Sequence, residues 1–497
     1  MVTRIDARRA AGTVRRNAQR AATGVLGLAG ERMTKVDTAW LRMDSDSNLM
    51  MIVGVWVLRP GVRYEDLCQR LTDRLLPYHR FRQRVEEDAA GATWVEHPVD
   101  VRDHVTREKL PRHKAGEGQL ALQKRVGELA MTPLDRARPL WHMHLVESYD
   151  GGSALIVRIH HCIADGIALI AVMLSLVDGG APPPERKRRG APAGAEDWIA
   201  DALIRPLTDI TVKALDAAGD GAAKSLHMLR DPQQGLAGSV DLARMAYQVV
   251  SDAAALALMP DDSPTRLKGK PGRAKKVAWC EPLPLDEVKA VGKALNCSVN
   301  DVLLSCVAGA IGEYLRLQGD STAGVEIRAM IPVNLRPIEK AYKLGNRFGL
   351  VPLVLPVGID NPIERVYEVR RRMNALKGST QPLLAFGLLA VAGLLIKPAQ
   401  DAMLNLFGRK TTAVMTNVPG PREKLKFLGA TLEQSMFWVP QSGDIGLGVS
   451  ILSYGGGVQF GVITDTQLCP EPQAIIDEFE PEFAKLSLVT LMLPWGE

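Results

Sequence analysis

What the 497-residue chain lacks narrows its function first. Its six cysteines, Cys68, Cys162, Cys280, Cys297, Cys306 and Cys469, form no CxxC pair and show no Cys/His spacing of a zinc site. Such scattered thiols fit a reducing compartment and argue against a disulfide scaffold or a metal centre. No apolar run reaches the ~20 residues that span a bilayer. The longest, Pro382 to Ile396, stops at 15 residues and holds Gly387 and Gly393. A buried helix and a helix laid along a lipid surface are both open for it. There is no G-x-S-x-G elbow, no Walker loop and no G-x-G-x-x-G fingerprint, so the usual serine-hydrolase, P-loop and dinucleotide machinery is missing. Net charge is also small. The formal net charge is +5, and residues 1–30, with six Arg against the single Asp6, account for all of it. The neutral remainder gives no case for nucleic acid as a partner. No secretory signal is visible: the apolar stretch near the start is short, and no A-x-A site follows.

What is present is the composition of a folded protein, 46% hydrophobic and 24% charged. The length corresponds to about three domains of ~150 residues, or two larger ones. The Arg-rich start has three open readings: an anchor on anionic lipid, a solvated tail, or a transit peptide. β-branched and alternating patterns predict strands over Met50–Leu58, Leu140–Tyr149 and Ser153–His161. Helical spacing predicts helices over Glu65–Leu76 and Ile167–Val177. A Pro/Gly/charge-rich break begins at Asp178. An Ala-rich helical stretch follows, and a second basic loop, Ser263–Lys276, closes the linker. Beyond it, Val299–Gly319 and Glu364–Leu376 read as helices, and Glu326–Leu335 and Gly349–Val357 as strands. The chain therefore reads as two α/β halves joined by a basic, helical crossover.

The chemistry concentrates in Arg158–Ile170, RIHHCIADGIALI. Two histidines end a strand, Asp165 lies four residues after His161, and Gly166 opens a helix. Successive strand side chains point to opposite faces. One imidazole is thus expected to face a cleft and the other to be held inside the protein. Gly166 is expected to allow a turn that a Cβ would strain. Asp165 is expected to orient the turn or pair with an arginine, without touching substrate. Opposed histidines and one carboxylate do not make a three-ligand metal set. Cys162 has no evident activating partner other than histidine. With no nucleophile elbow, direct transfer to an acceptor with histidine as general base is the simplest chemistry.

These residues, His160-His161-Cys162-Ile163-Ala164-Asp165-Gly166, resemble the HHxxxDG motif of CoA-dependent acyltransferases. That motif is shared with condensation domains and chloramphenicol acetyltransferase relatives. Further segments narrow the resemblance to bacterial wax ester synthase/acyl-CoA:diacylglycerol acyltransferases. They are Val36–Met50 (VDTAWLRMDSDSNLM), the PLW of Leu134–Trp141, the ND of Val299–Leu304, Ile331–Arg336 (IPVNLR), Gly345–Gly349 (GNRFG) and Thr416–Pro421 (TNVPGP). The likeness covers roughly residues 33–480.

The resemblance implies an α/β fold of two chloramphenicol-acetyltransferase-like domains with mixed sheets, a helical crossover linker and an active-site tunnel between them. The implied limits are a basic extension at 1–32, an HHxxxDG domain at 33–180, a linker at 181–276 and a C-terminal domain at 277–497. It implies transfer of a long acyl chain from acyl-CoA, as a substrate and with no resident cofactor or metal, to diacylglycerol or a long-chain alcohol. His161 is then the general base, with His160, Asp165 and Gly166 shaping the site and Asn300 as a candidate oxyanion donor. Pro139, Leu140, Trp141 and Asp301 are pocket candidates whose alternative is ordinary packing. Trp56, Phe386 and the 382–396 helix are candidate walls of an acyl channel. The basic loops at Arg186–Arg189 and Lys268–Lys276 have three readings: CoA phosphates, anionic lipid or plain solvation. The expected location is cytoplasmic, peripheral on the inner membrane face or on lipid inclusions. The sequence specifies no oligomeric state. Two competing classes are a condensation-type transferase using a carrier-protein thioester and a non-catalytic lipid-droplet protein of the same fold.

Overall fold

The run MIVGVWVLR is buried along nearly its whole length, on both faces, as expected of a central strand dense in β-branched side chains. It is the middle of a framework seen in a computed structural model that describes residues 30–88, 91–111, 114, 116–182, 259–335, 344–376, 385, 400 and 408–492. The Arg-rich start, most of the linker, the basic loop at 186–189 and, apart from residue 385, the apolar run at 382–396 with Phe386 lie outside the described residues.

The N-terminal half contains β1 (Glu31–Arg32), α1 (Lys35–Arg42), β2 (Met51–Arg59), α2 (Tyr64–Arg74), β3 (Gln83–Asp88), β4 (Gly91–Glu96), β5 (Val105–Glu108), α3 (Gly118–Ala130), β6 (Trp141–Tyr149), β7 (Gly152–His160) and α4 (Gly166–Leu176). The C-terminal half contains β8 (Lys275–Trp279), β9 (Leu283–Pro284), α5 (Leu285–Ala294), α6 (Val299–Leu317), β10 (Ile327–Asn334), β11 (Phe348–Leu355), α7 (Pro362–Leu376), β12 (Ala413–Pro419), β13 (Lys426–Phe427), β14 (Ala430–Trp438), β15 (Leu447–Tyr454), β16 (Gly457–Asp465), α8 (Pro472–Asp477) and α9 (Phe479–Leu491).

The expected mixed α/β architecture is present. One sheet runs β13-β14-β2-β7-β6-β5, with only β5–β6 parallel. A second runs β11-β10-β12-β15-β16-β8, with β9 also on β16 and two parallel pairs, β10–β12 and β12–β15. A small antiparallel sheet, β1-β4-β3, lies apart. The halves are not separate in the way their sequence limits suggest. β13 and β14, from the C-terminal half, complete the N-terminal sheet through pairs such as Phe437↔Gly54 and Ser435↔Trp56. β8 begins at Lys275, inside the expected linker.

Alternation on β2 divides the packing. Ile52, Trp56 and Leu58 join one core with α1, α2 and α4; Met51, Val53, Val55 and Val57 face another, shared with α3, β8 and β14. The C-terminal core surrounds α6, whose start is fixed by a capping box: Ser298 Oγ accepts from Asp301 N at 3.1 Å, and Asp301 Oδ2 accepts from Ser298 N at 2.9 Å. No single described helix is long and apolar enough to cross a membrane.

Candidate active site

Strand β7 ends at His160, and the next five residues turn into α4. Asp165 caps that helix, its Oδ1 accepting from Ala168 N at 2.9 Å. Its Oδ2 accepts from the Arg347 backbone N–H at 2.9 Å. Gly345 N donates to Ile163 O at 3.1 Å, and Ala164 bridges Gly345. The Gly345–Gly349 loop of the C-terminal half is thereby bound to the motif of the N-terminal half. Gly345 adopts φ +107°, a conformation suited to glycine.

Both motif histidines are buried, each only 3% exposed. Neither ring faces open solvent: Trp40 of α1 and Phe348 pack on His161, and Asp44 lies against His160. His160 is held by polar groups. Its backbone N–H donates to Leu140 O at 2.9 Å, its Nδ1 accepts from Cys162 N at 3.2 Å, and its Nε2 lies 3.4 Å from Asp44 Oδ1. Asp44 also accepts from Met50 N at 2.7 Å. Burial opposes ionisation of Asp44, but His160, the Met50 N–H and Arg136 together hold its carboxyl below the ordinary range.

His161 is held by rings. Its imidazole stacks on the Trp40 indole with centroids 4.1 Å apart and planes 17° apart, and Phe348 lies 5.4 Å away. Its backbone N–H donates to Met50 O at 2.7 Å, and its carbonyl accepts from Asn346 Nδ2 at 2.7 Å. Asn346 Nδ2 also donates to Asp37 Oδ1 at 2.8 Å, and Asn346 N donates to the same oxygen at 3.0 Å. Burial raises the Asp37 pKa; its hydrogen bonds to Asn346 and Thr34 only partly offset this. Burial drives the His161 pKa down to about 3, with its own backbone and Asn346 pulling weakly the other way. The ring is therefore a neutral imidazole at pH 7 with a free lone pair, although the same burial weakens it as a base. Cys162 is fully buried and its thiol is pushed well above the ordinary range, which removes it as a nucleophile.

Next to the motif lies an apolar cavity, whose empty space, open solvent included, is about 850 Å³. Its floor is Ile52, Gly54 and Trp56 of β2 with Val157 and Ile159 of β7. Helix α4 covers it through Gly166, Leu169, Ile170 and Met173, and Val418–Pro421, Leu425, β14 and the end of β15 supply other walls. Strand β7 and helix α4, which carry the motif between them, thus both line it. Gly166 corrects its expected role. It is absent from the positive-φ positions, and a Cβ there would meet nothing within 4 Å. The turn does not require glycine; its missing side chain leaves the cavity open beside the motif.

The four pocket candidates take their alternative reading, packing and structure. Pro139, Leu140 and Trp141 do not line this cavity. Trp141 is buried, donates from Nε1 to Phe81 O at 3.0 Å and stacks on His104, while Leu140 O receives the His160 N–H. These residues hold β6 against β7. Asp301 is spent on the α6 capping box. Asn300, on the first turn of α6, accepts from Asn417 Nδ2 at 2.6 Å, which ties it to β12 immediately before the cavity wall begins at Val418. Trp56 does line the cavity. Asp37, Trp40, Asp44 and Asn346 were not singled out from sequence. Asp37 and Trp40 carried a usable signal, an acid and an aromatic three apart on one helix face. Asn346 lies in the family-like segment Gly345–Gly349, which marked the loop but not this residue.

Comparison with known proteins agrees with this geometry. Residues 33–303 match the family model described as the wax ester synthase/diacylglycerol acyltransferase catalytic domain, and residues 344–487 match the WS/DGAT C-terminal domain. A Mycobacterium tuberculosis (H37Rv) protein named as a probable diacylglycerol O-acyltransferase is 27% identical over 473 residues, 92% of this chain and 96% of its own. Another protein of that species (strain CDC 1551), named for the same activity, is 30% identical over 395 residues, 78% of this chain and 82% of its own. Among solved structures, the wax ester synthase/diacylglycerol acyltransferase from Marinobacter aquaeolei VT8 superposes with a TM-score of 0.61 at 21% identity, covering 92% of this chain and 99% of that one. The first condensation domain of the CDA synthetase gives 0.55 at 14% identity, covering 92% and 96%. At these identities the structural likeness speaks to fold alone.

Proposed function

The chain belongs to the wax ester synthase/diacylglycerol acyltransferase family and is an O-acyltransferase acting on diacylglycerol or alcohol acceptors, and from that premise we propose how its residues carry the transfer. His161 is the general base. It takes the proton of the acceptor hydroxyl as the oxygen attacks the thioester carbonyl of acyl-CoA; such help is commonly worth ~10²–10⁴-fold. The carbon–oxygen bond forms, the carbon–sulfur bond breaks, and the imidazolium returns the proton to the leaving CoA sulfur. The observation that carries this reading is the neutral, ring-stacked His161 in the turn between β7 and α4, both of which line an apolar cavity.

The other residues have supporting parts in this proposal. Asn346 and Trp40 hold the base in place. Asp165 fastens the loop that carries Asn346. Asn300, its carboxamide oxygen engaged by Asn417, offers its NH₂ to the developing oxyanion, a role often worth ~10²–10³-fold. Acyl-CoA enters as substrate, and the scheme uses no resident cofactor. A diacylglycerol acceptor resides in lipid, which supports peripheral attachment to the cytoplasmic membrane face or to lipid inclusions. Failure to float with diacylglycerol-containing vesicles would remove that attachment. The deciding experiment is thiol release from palmitoyl-CoA by purified enzyme, with hexadecanol and dioleoylglycerol as separate acceptors. His161→Ala is expected to lose at least ~10²-fold with an unchanged circular dichroism spectrum. Full activity in that folded variant would remove His161 as the base.

A further inference from the structure

Gly54 interrupts β2 in mid-strand, where glycine weakens a sheet and supplies no side chain to pack. Three usual reasons for such a glycine fail here. It is not among the positive-φ positions. It is not at a bulge: pairing with β7 is continuous from Met51↔His160 to Leu58↔Ser153, and the irregularity on β14 falls at Leu432/Gln434, away from the Phe437↔Gly54 pair. Nor is it a point of close approach. A Cβ would meet Met436 O at 3.5 Å, Phe437 Cβ at 3.8 Å and Val157 Cβ at 4.0 Å, all ordinary contacts. What the absent side chain leaves is space in the cavity floor, between Ile52 and Trp56 on the same face and beneath α4.

At about 3.3 Å per strand residue, Gly54 lies ~10 Å along the sheet from the Met51↔His160 row, and Trp56 ~7 Å farther on. We propose that Gly54 sets the length of the unbranched alkyl chain that the enzyme accepts, letting it run past row 54 toward Trp56. This rests on the acyl-transfer reading above. The donor acyl chain and the acceptor chain share this chemistry, and the assay separates them.

The test compares wild type, Gly54→Ala and Gly54→Ile, the last adding a strand-favouring side chain to the floor. Saturated acyl-CoAs from octanoyl to octadecanoyl are assayed with one alcohol, and alcohols over the same range with one acyl-CoA. Each methylene kept out of an apolar site costs about fourfold. Excluding three or four should raise the octanoyl-to-hexadecanoyl ratio of kcat/KM by on the order of 10² in Gly54→Ile, with a small shift in Gly54→Ala. A shift confined to one series identifies which substrate chain passes Gly54. Unchanged profiles in both series, or a loss uniform over all lengths in folded protein, would overturn the proposal. Displacement of cis-parinaric acid by fatty acids of graded length, which needs no turnover, keeps the two readings distinguishable. If wild type binds chains but releases no thiol, the acyl-transfer reading fails while chain selection at Gly54 is still decided. A Gly54→Ile displacement profile matching wild type overturns the proposal.

Discussion

Replacing Asn346 by Ala tests whether the loop of one half positions the base of the other. The change removes the Nδ2 bonds to Asp37 Oδ1 at 2.8 Å and to His161 O at 2.7 Å. A hydrogen bond to a charged group is worth about 1.5–3 kcal/mol and a neutral one about 0.5–1.5 kcal/mol. Asp37 keeps the backbone N–H of residue 346, and its raised pKa lets it take up a proton instead of remaining an uncompensated buried charge. The stability loss should therefore sit near the low end of that sum, about 2 kcal/mol. The catalytic loss should be larger in relative terms. Misplacing a reacting group by ~1 Å can cost ~10²-fold, and it should appear in kcat with little change in KM for palmitoyl-CoA.

Urea unfolding and steady-state thiol release measure the two effects on one preparation. Asp37→Asn keeps an acceptor for the Asn346 amide and should be milder. The double variant Asp37→Asn/Asn346→Ala should cost no more than Asn346→Ala alone, because the two residues share one bond. A folded Asn346→Ala enzyme with kcat within twofold of wild type would refute the positioning argument. So would strict additivity in the double variant.

Two further outcomes follow from the same geometry. Trp40→Leu removes the indole that faces the imidazolium formed during transfer; at about 0.5–2 kcal/mol for a cation on a ring, kcat should fall by roughly 2- to 30-fold. Trp40→Phe should recover part of this, and equal losses in Leu and Phe variants would count against a ring-specific role. Acidification should also destabilise the fold. Burial holds His161 at about 3 and His144 at about 4, with Arg158 also acting on His144, whereas an unfolded histidine titrates near 6.5. Below pH 6.5 the unfolded chain binds protons that the folded one refuses, so stability falls as pH drops toward those values, by up to about 1.4 kcal/mol per pH unit per fully buried group. Urea midpoints at pH 7 and pH 5 measure this; equal midpoints would contradict the neutral, buried state of these rings.

The local patterns were legible because they depend on near neighbours. β2, β6, β7, α4 and α6 lie within about two residues of their sequence expectations, since alternation and helical spacing record which faces are buried. The pairing of Thr431 with Arg59 was not legible, because nothing near either residue encodes a partner hundreds of positions away. The His160–His161 pair shows the same limit within one motif. Alternation correctly sends the rings to different surroundings, one to Asp44 and one to Trp40. It says nothing of what later elements lay over them, such as the Asn346 amide on His161 and the Phe348 ring beside it. Gly166 was misjudged for a related reason: glycine beside a turn suggests backbone freedom, whereas here the requirement comes from empty space.

These limits concern the step that matters for catalysis. The base and its strand come from the N-terminal half, while the amide on its carbonyl, the N–H on Asp165 and the ring of Phe348 come from a loop almost 200 residues later. β14, from the same late region, forms part of the cavity wall and pairs with the strand that carries Gly54. Both halves thus bury the imidazole, and both wall the cavity that β7 and α4 line. An isolated N-terminal half would retain the HHxxxDG residues yet leave His161 open to solvent, with a pKa rising toward 6.5 and a cavity lacking one side. The motif supplies the proposed base, and the pairing of the halves fixes its position and builds the cavity wall.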